Sequence, residues 1–310
     1  MRNNILVKII LVYAVACLIW GSTWMAIRIS LDSFTPFLSA GFRFMLASVF
    51  IYALMKIKGI KIQTDKLSVT LYLLMGFFSF VIPFGLVYWG EQYVPSGLAS
   101  VLFSVNPFFV AIFSYYFLSS EKIGPHKIIG IILGFLGLLV IFSENITGDI
   151  PIYLPGMLAV VLSAIMQGGL QVTIKKYGGN LHPLSMNLVP MIIAGVVMTL
   201  IGISFENMNK VEFTSSGYLS VAYLALFGSL VTFTSYYWLL KRVSVVVLSL
   251  IAFITPIIAL ILGWVFLNEE LSGRHLVGSF MVLLGVLSAT LGNVKSFKKI
   301  NLLKRQQPGN

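Results

Sequence analysis

Tyr88–Ser143 reads YWGEQYVPSGLASVLFSVNPFFVAIFSYYFLSSEKIGPHKIIGIILGFLGLLVIFS. It is an apolar run with a proline in its middle, a charged turn and a second apolar run. The chain repeats the design from Tyr237 to Gly292. Shifted by 149, Tyr88-Trp89 falls on Tyr237-Trp238, Ser100 on Ser249, Pro107 on Pro256 and Phe117-Leu118 on Phe266-Leu267. After one residue of slippage Glu121, Gly130 and Gly137 meet Glu269, Gly278 and Gly285. Register kept this far marks one unit used twice, and an internal repeat fixes architecture before any local reading.

Working outward, the first spans of the two halves also align. With a shift of 147, Gly21 meets Gly168, Arg28 meets Lys175 and Pro36 meets Pro183. Under that shift Trp20 and Trp24 meet Gln167 and Gln171. Each pair is spaced i, i+4 and forms one stripe on its helix. The repeat places the two stripes in comparable positions.

Composition sets the solvent. Of 310 residues, 58% are hydrophobic and only 10% charged, with a mean hydropathy of +0.96. A soluble chain is about a quarter charged, so this chain has too little polar residue to cover itself in water. It is expected to cross a bilayer many times. A signal peptide does not explain the N-terminus, since the apolar run from Ile5 to Ile27 is too long and lacks a small-residue cleavage site. The single Cys17 permits no intrachain disulfide.

Each span needs about 20 apolar residues. Ten are expected, at 7–27, 35–55, 67–89, 96–118, 128–143, 153–174, 183–204, 216–240, 245–267 and 275–293. Gly130, Gly134 and Gly137 in the fifth suit close helix packing through small residues. The fold class is therefore an all-α integral membrane protein of ten transmembrane helices in two inverted five-helix repeats. The expected division is 1–148, 149–294 and a basic cytoplasmic tail at 295–310.

Net charge is +11, which in a soluble chain would suggest nucleic acid. Here the positive-inside rule explains it. With both termini cytoplasmic, nearly all Lys and Arg fall inside, including Lys56, Lys58, Lys61, Lys66, Lys175, Lys176, Lys241 and Arg242. Most acidic residues fall outside. No nucleic-acid partner is expected. The partners are the lipid bilayer and a small-molecule substrate, with the chain a monomer or a homodimer. Five spans per half is odd, so the second half is inverted. That is the plan of many secondary transporters, with the substrate site near the midplane between the repeats.

Three motifs now stand together. The first is Trp20-Gly21-Ser22-Thr23-Trp24, followed by Pro36 and Arg43-Phe44. The second runs from Glu91 to Ala99, then to Asn106-Pro107 and Glu121. The third is Thr255-Pro256 with Phe266-Leu267-Asn268-Glu269. In order and spacing they resemble the drug/metabolite transporter superfamily, and within it the EamA-type exporters. The resemblance implies a ten-span carrier of the plasma (inner) membrane that exports amino acids or other small metabolites. The second half departs from the first at Gln167-Gly168-Gly169, and the substrate stays open.

Intramembrane polar residues default to functional hypotheses. Arg43 is the one charge well inside a span. It suits a substrate carboxylate, or a hydroxyl or backbone carbonyls. Trp20 and Trp24, with Gln167 and Gln171, are candidates for the cavity wall. Tyr88-Trp89 and Tyr237-Trp238 are candidate gates, although aromatics also gather at membrane interfaces as belts. Asn106, Thr255 and the serines Ser100 and Ser249 complete the cavity set. Pro107 and Pro256 are candidate hinges, since proline frees a carbonyl one turn back. Glu91, Glu121 and Glu269 read as rim residues, the last two holding the turns into the following helices. No zinc spacing, nucleotide loop or nucleophile elbow appears. An enzyme, a metal site and a cofactor are not expected. The rival readings are a nucleotide-sugar, sugar-phosphate or drug carrier of the same superfamily, and a membrane-embedded transferase.

Overall fold

A computed structural model describes residues 2–118, 124–147, 153–178, 181–240, 242–243, 248 and 251–305. Side chains are described for these except at 2–4, 144–147, 237, 240 and 291–305. The described residues form ten apolar helices. They are α1 (Arg2–Leu31), α2 (Pro36–Ile57), α3 (Lys66–Gly90), α4 (Ser96–Phe117), α5 (Pro125–Thr147) and α6 (Tyr153–Tyr177). There follow α7 (Pro183–Phe205), α8 (Ser215–Ala225 continuing to Leu240), α9 (Ile251–Leu267) and α10 (Gly273–Arg305). All but α9 are long and apolar enough to cross a membrane.

In hydrocarbon every backbone group must find its partner inside the chain. Helix starts are therefore proline-led or side-chain capped. Pro36, Pro125 and Pro183 open α2, α5 and α7. Asp65 accepts from Ser68 N–H, and Thr214 from Gly217 N–H. The outward side chains are large and apolar, as lipid requires. Leu139, Leu200, Phe266 and Trp264 are all exposed.

Lipid tails are as apolar as leucine, so helices associate through close packing. The glycines supply it. A Cβ at residue 137 would stand 2.7 Å from the Gly278 carbonyl oxygen, and one at 278 would stand 2.7 Å from the Gly137 carbonyl oxygen. Gly130 and Gly285 meet in the same reciprocal way, joining α5 to α10. The Gly130 and Gly137 stripe seen in the sequence is this interface, and Gly134 also receives the Phe108 ring. A second pair, α2 and α7, closes through Gly41 against Thr199 and Gly195 against Met45.

The remaining helices cross over between halves. Gly21 of α1 abuts Ile258 of α9, and its repeat mate Gly168 of α6 abuts Phe109 of α4. Each half thus lends its first helix to the other half.

Connections 32–35, 91–95, 206–214 and 268–272 share one face, called the far face. Connections 58–65 and 178–182 meet on the opposite face, where His182 N–H donates to Gln63 Oε1 at 3.2 Å. The far face is stitched across the halves by carboxylates. Glu206, at the end of α7, accepts from Phe37 and Leu38 N–H at 3.1 and 3.2 Å. Glu269, at the end of α9, accepts from Ser96 and Gly97 N–H at 2.7 and 3.0 Å. Both carboxylates sit on the positive end of a helix that belongs to the other half. The sequence reading placed Glu269 at the turn into α10. Instead it folds back over Gly263, which has no side chain in its way. Glu121 lies outside the described residues.

Two outcomes check this packing. Gly137→Ala or Gly278→Ala is expected to lower stability by roughly 1–3 kcal/mol through overpacking. Gly273→Ala, where a Cβ meets nothing within 4 Å, should be neutral. Thermal unfolding of the purified protein compares the three. Glu269→Ala should cost about 1–2 kcal/mol as a lost helix cap. Glu270→Ala, an exposed neighbour, should leave the melting temperature unchanged.

Candidate functional site

Pro107 decides the centre. It has no N–H for the Phe103 carbonyl, and α4 breaks just before it. The helix runs Ser96–Phe103 and resumes at Asn106–Phe117. Ser104 N–H turns back to the Ser100 and Val101 carbonyls at 3.0 and 3.1 Å, and Phe108 N–H donates to the Val105 carbonyl at 2.9 Å.

Polar side chains gather at this break. Asn106 Nδ2 donates to the Ala164 carbonyl of α6 at 2.8 Å. Gln171 Nε2, also from α6, donates to Asn106 Oδ1 at 3.3 Å. One turn earlier, Gln167 Oε1 accepts from Ser79 Oγ of α3 at 3.2 Å. Trp24 of α1 lies against Phe103 with ring centroids 5.5 Å apart. Of the residues singled out in the sequence, Trp24, Asn106, Gln167 and Gln171 are brought together here.

Ser79 lies in a π-helical segment, Gly76–Val81, inside α3. The repeat carries a second, Leu226–Val231, inside α8. Such segments are rare and collect at functional sites. Trp20 packs on α8 just past that segment, with Phe233 and Tyr236 at 6.0 and 5.6 Å. Ser22 Oγ and Tyr223 Oη share a hydrogen bond of 2.6 Å beside it. Trp20 and Gln167 therefore hold comparable positions, on α8 and α3, while Trp24 and Gln171 both meet α4. The sequence motifs do not single out Ser79, Phe103 or Tyr223, and they carry Ser22 only within the Trp20–Trp24 motif. The repeat of Ser79 as Ser229, with a shift of 150, was the available signal for the first.

Arg43 is buried, and its Nη1 donates to Tyr88 Oη at 3.3 Å. Its guanidinium lies 5.3 Å from both the Phe44 and Phe84 ring centres. Its Nε has no hydrogen-bond partner. Gly228, in the α8 π segment, comes close to its Nη2. Tyr88 is thus the fully buried partner of Arg43.

The other candidates lie elsewhere. Trp89 meets Tyr93 edge-on at the far-face rim, with ring centroids 5.1 Å apart. Trp238 sits between Lys8 and Arg242, whose charges lie 5.7 and 4.1 Å from its ring. That is an interfacial setting, unlike that of Trp89. Ser100 Oγ donates to the Gly97 carbonyl of its own helix at 2.6 Å and is buried, so it lines no cavity. Thr255 turns its carbonyl toward Gly21. Pro256 lies inside a continuous α9. The two prolines are therefore unequal, and only the one in α4 marks a break. The Tyr237 side chain and Ser249 lie outside the described residues.

A cleft of ≈ 300 Å³ lies between α4 and α6. Phe113, Phe117, Gly169, Thr173, Lys176 and Tyr177 line it. Thr173 and Lys176 follow Gln171 along α6 toward the end opposite the far face. Among the described residues no three His, Cys, Asp or Glu side chains group as metal ligands.

Comparison with known proteins agrees with this build. The model of the EamA-like transporter family matches residues 7–143 and again 154–291. The chain is 27% identical over 285 residues to the uncharacterized transporter YoaV of Bacillus subtilis, covering 92% of this chain and 97% of that one. It is 30% identical over 283 residues to the uncharacterized inner membrane transporter YedA of Escherichia coli K12, covering 89% and 88%. A solved crystal structure, 20% identical, superposes with a TM-score of 0.66 over 92% of this chain and 96% of its own, a likeness of fold. Two matches to one family model, laid over two crossed five-helix halves, place this multi-pass membrane protein in the EamA-like transporter family.

Proposed function

We propose that this chain is a secondary transporter that exports a small amphipathic metabolite of amino-acid type across the plasma membrane by alternating access. The observation that carries the reading is the broken α4. Beside its gap at 104–105 lie Asn106 and Gln171, with Trp24 against Phe103, and Gln167 stands one turn away on α6, bonded to Ser79. Discontinuous helices beside the midplane are where carriers hold substrates. Amides both donate and accept, which suits a zwitterion or a neutral polar group. The aromatic wall suits an apolar side chain.

Orientation follows from charge. The face opposite the far face carries Lys56, Lys58, Lys61 and Lys66, and the basic ends of α6 and α8. The positive-inside rule makes it cytoplasmic. The cleft then opens toward the cytoplasm, and the carboxylate-stitched far face is the closed outer side. Arg43 is the one buried Lys or Arg among the described residues, which favours a substrate with at most one anionic group over a sugar phosphate. The outward direction rests on the family resemblance.

A thermal-shift screen of amino acids, nucleosides and amines tests the substrate class, since a ligand of the folded state stabilises it by mass action. An amino-acid hit is expected. Asn106→Ala and Gln171→Ala should each weaken that ligand about two- to tenfold, the value of one neutral hydrogen bond. Folded variants that bind and transport as wild type would remove the site from this position. Orientation is read by single-cysteine labelling in a Cys17→Ser background. Asn209→Cys should react with an impermeant thiol reagent on intact cells, and Lys58→Cys only after lysis.

A further inference from the structure

Glu91 is the first residue after α3. The sequence places it at the rim, yet it is 0% exposed. Its backbone is fully engaged. Its N–H donates to the Val87 carbonyl at 2.9 Å, and its carbonyl accepts from Arg28 Nη1 at 2.7 Å. Its side chain is not, for neither carboxyl oxygen has a hydrogen-bond partner.

No charged group around it gives its carboxyl a hydrogen bond. Arg28 of α1 gives Nη1 to the carbonyls of Glu91 and Gln92. Arg43 of α2 gives Nη1 to Tyr88 Oη on Glu91's own helix. Glu269, at the end of α9, accepts from two N–H groups at the start of α4 and is a like charge. On the α6 side, Gly156 and Val160 pack on Gly90 and bring no charge. An ionised carboxylate buried without a partner costs several kcal/mol. The neutral acid costs far less.

We propose that Glu91 is a proton-binding site coupled to closure of the far face, taking one proton from solvent as that face closes and releasing it as the face opens. Burial, reinforced by the Glu269 charge and opposed by Arg28 and Arg43, pushes the Glu91 carboxyl well above the usual carboxylate range. Around it the closed face is dry, with Tyr88, Ser96 and Leu98 all 0% exposed. Opening would expose the group to water, where its pKa returns to the ordinary range. The closed form therefore binds more protons. Between the two pKa values the closed-to-open ratio falls tenfold per pH unit as pH rises. Below the ordinary range both forms are protonated and the ratio is flat. The coupling rests on the alternating-access reading above, and the protonation does not.

Infrared spectra of the full chain in lipid vesicles test the protonation without any substrate. At neutral pH a protonated carboxylic-acid carbonyl band is expected. It should vanish in Glu91→Gln, persist in Glu270→Gln and shift in Glu91→Asp, which assigns the band where the Gln variant does not fold. A missing band, or one unmoved by the Glu91 substitutions, overturns the site. Amide hydrogen exchange of residues 91–97, corrected for intrinsic rates, tests the coupling. Protection should fall by up to tenfold per pH unit in the wild type and stay flat in a Glu91 variant. A slope shared by both overturns the coupling while leaving the carrier reading intact.

Discussion

Pro107 has no N–H to give, and α4 passes where no water can take its place. Most of the central architecture follows from that constraint. Here the helix breaks before the proline, and the groups around the gap find partners on neighbouring helices. Asn106 reaches the Ala164 carbonyl, and Gln171 reaches Asn106. The partners come from α6 because Gly168 lets α6 lie directly against α4 at Phe109. In water such a gap would be solvated and unremarked. In hydrocarbon it collects the few polar side chains the chain can place there.

The crossing of the halves gives this site its mechanical setting. Gly21 seats α1 on α9, and Gly168 seats α6 on α4. The far-face carboxylates cross in the same sense, Glu206 to α2 and Glu269 to α4. Each half's first helix packs on the other half, and two helices of the first half are capped by carboxylates of the second. The rigid pairs lie outside this core. The α5–α10 contact is backbone against backbone, through reciprocal glycines. Movement is therefore expected at the break in α4 rather than at the reciprocal glycines of α5 and α10.

Much of this was legible in the sequence, and the reasons for the rest are physical. The repeat, the spans and the α5 glycine stripe declare themselves because hydropathy and small-residue spacing are local properties. The pairing of Gly21 with Gly168 was readable as alignment and emerged as equivalent contacts. Depth was not legible. Glu91 stands one residue past an apolar run and so reads as a rim residue, yet it is fully buried. The target of Glu269 was hidden because its partners are backbone N–H groups more than 170 positions away. The π segments of α3 and α8 had no marker in propensity. Tyr88-Trp89 and Tyr237-Trp238 are identical words in unlike settings, since Trp89 meets Tyr93 and Trp238 meets Lys8 and Arg242.

That last contrast explains why a duplicated chain holds its polar residues on one side. Perfect symmetry would give both first helices the same stripe and both prolines the same break. Instead α1 carries Trp20 and Trp24, and α6 carries Gln167 and Gln171. The break lies in α4, facing the amides, while Pro256 rides inside an unbroken α9. Hydrogen-bonding capacity and unsatisfied backbone thus fall on the α4–α6 side, and aromatic surface comes from α1. A ligand bound at the break would meet amides from one half and an indole from the other. The repeat provides the scaffold, and its divergence provides a polar side and an apolar side, which is what an amphipathic molecule requires.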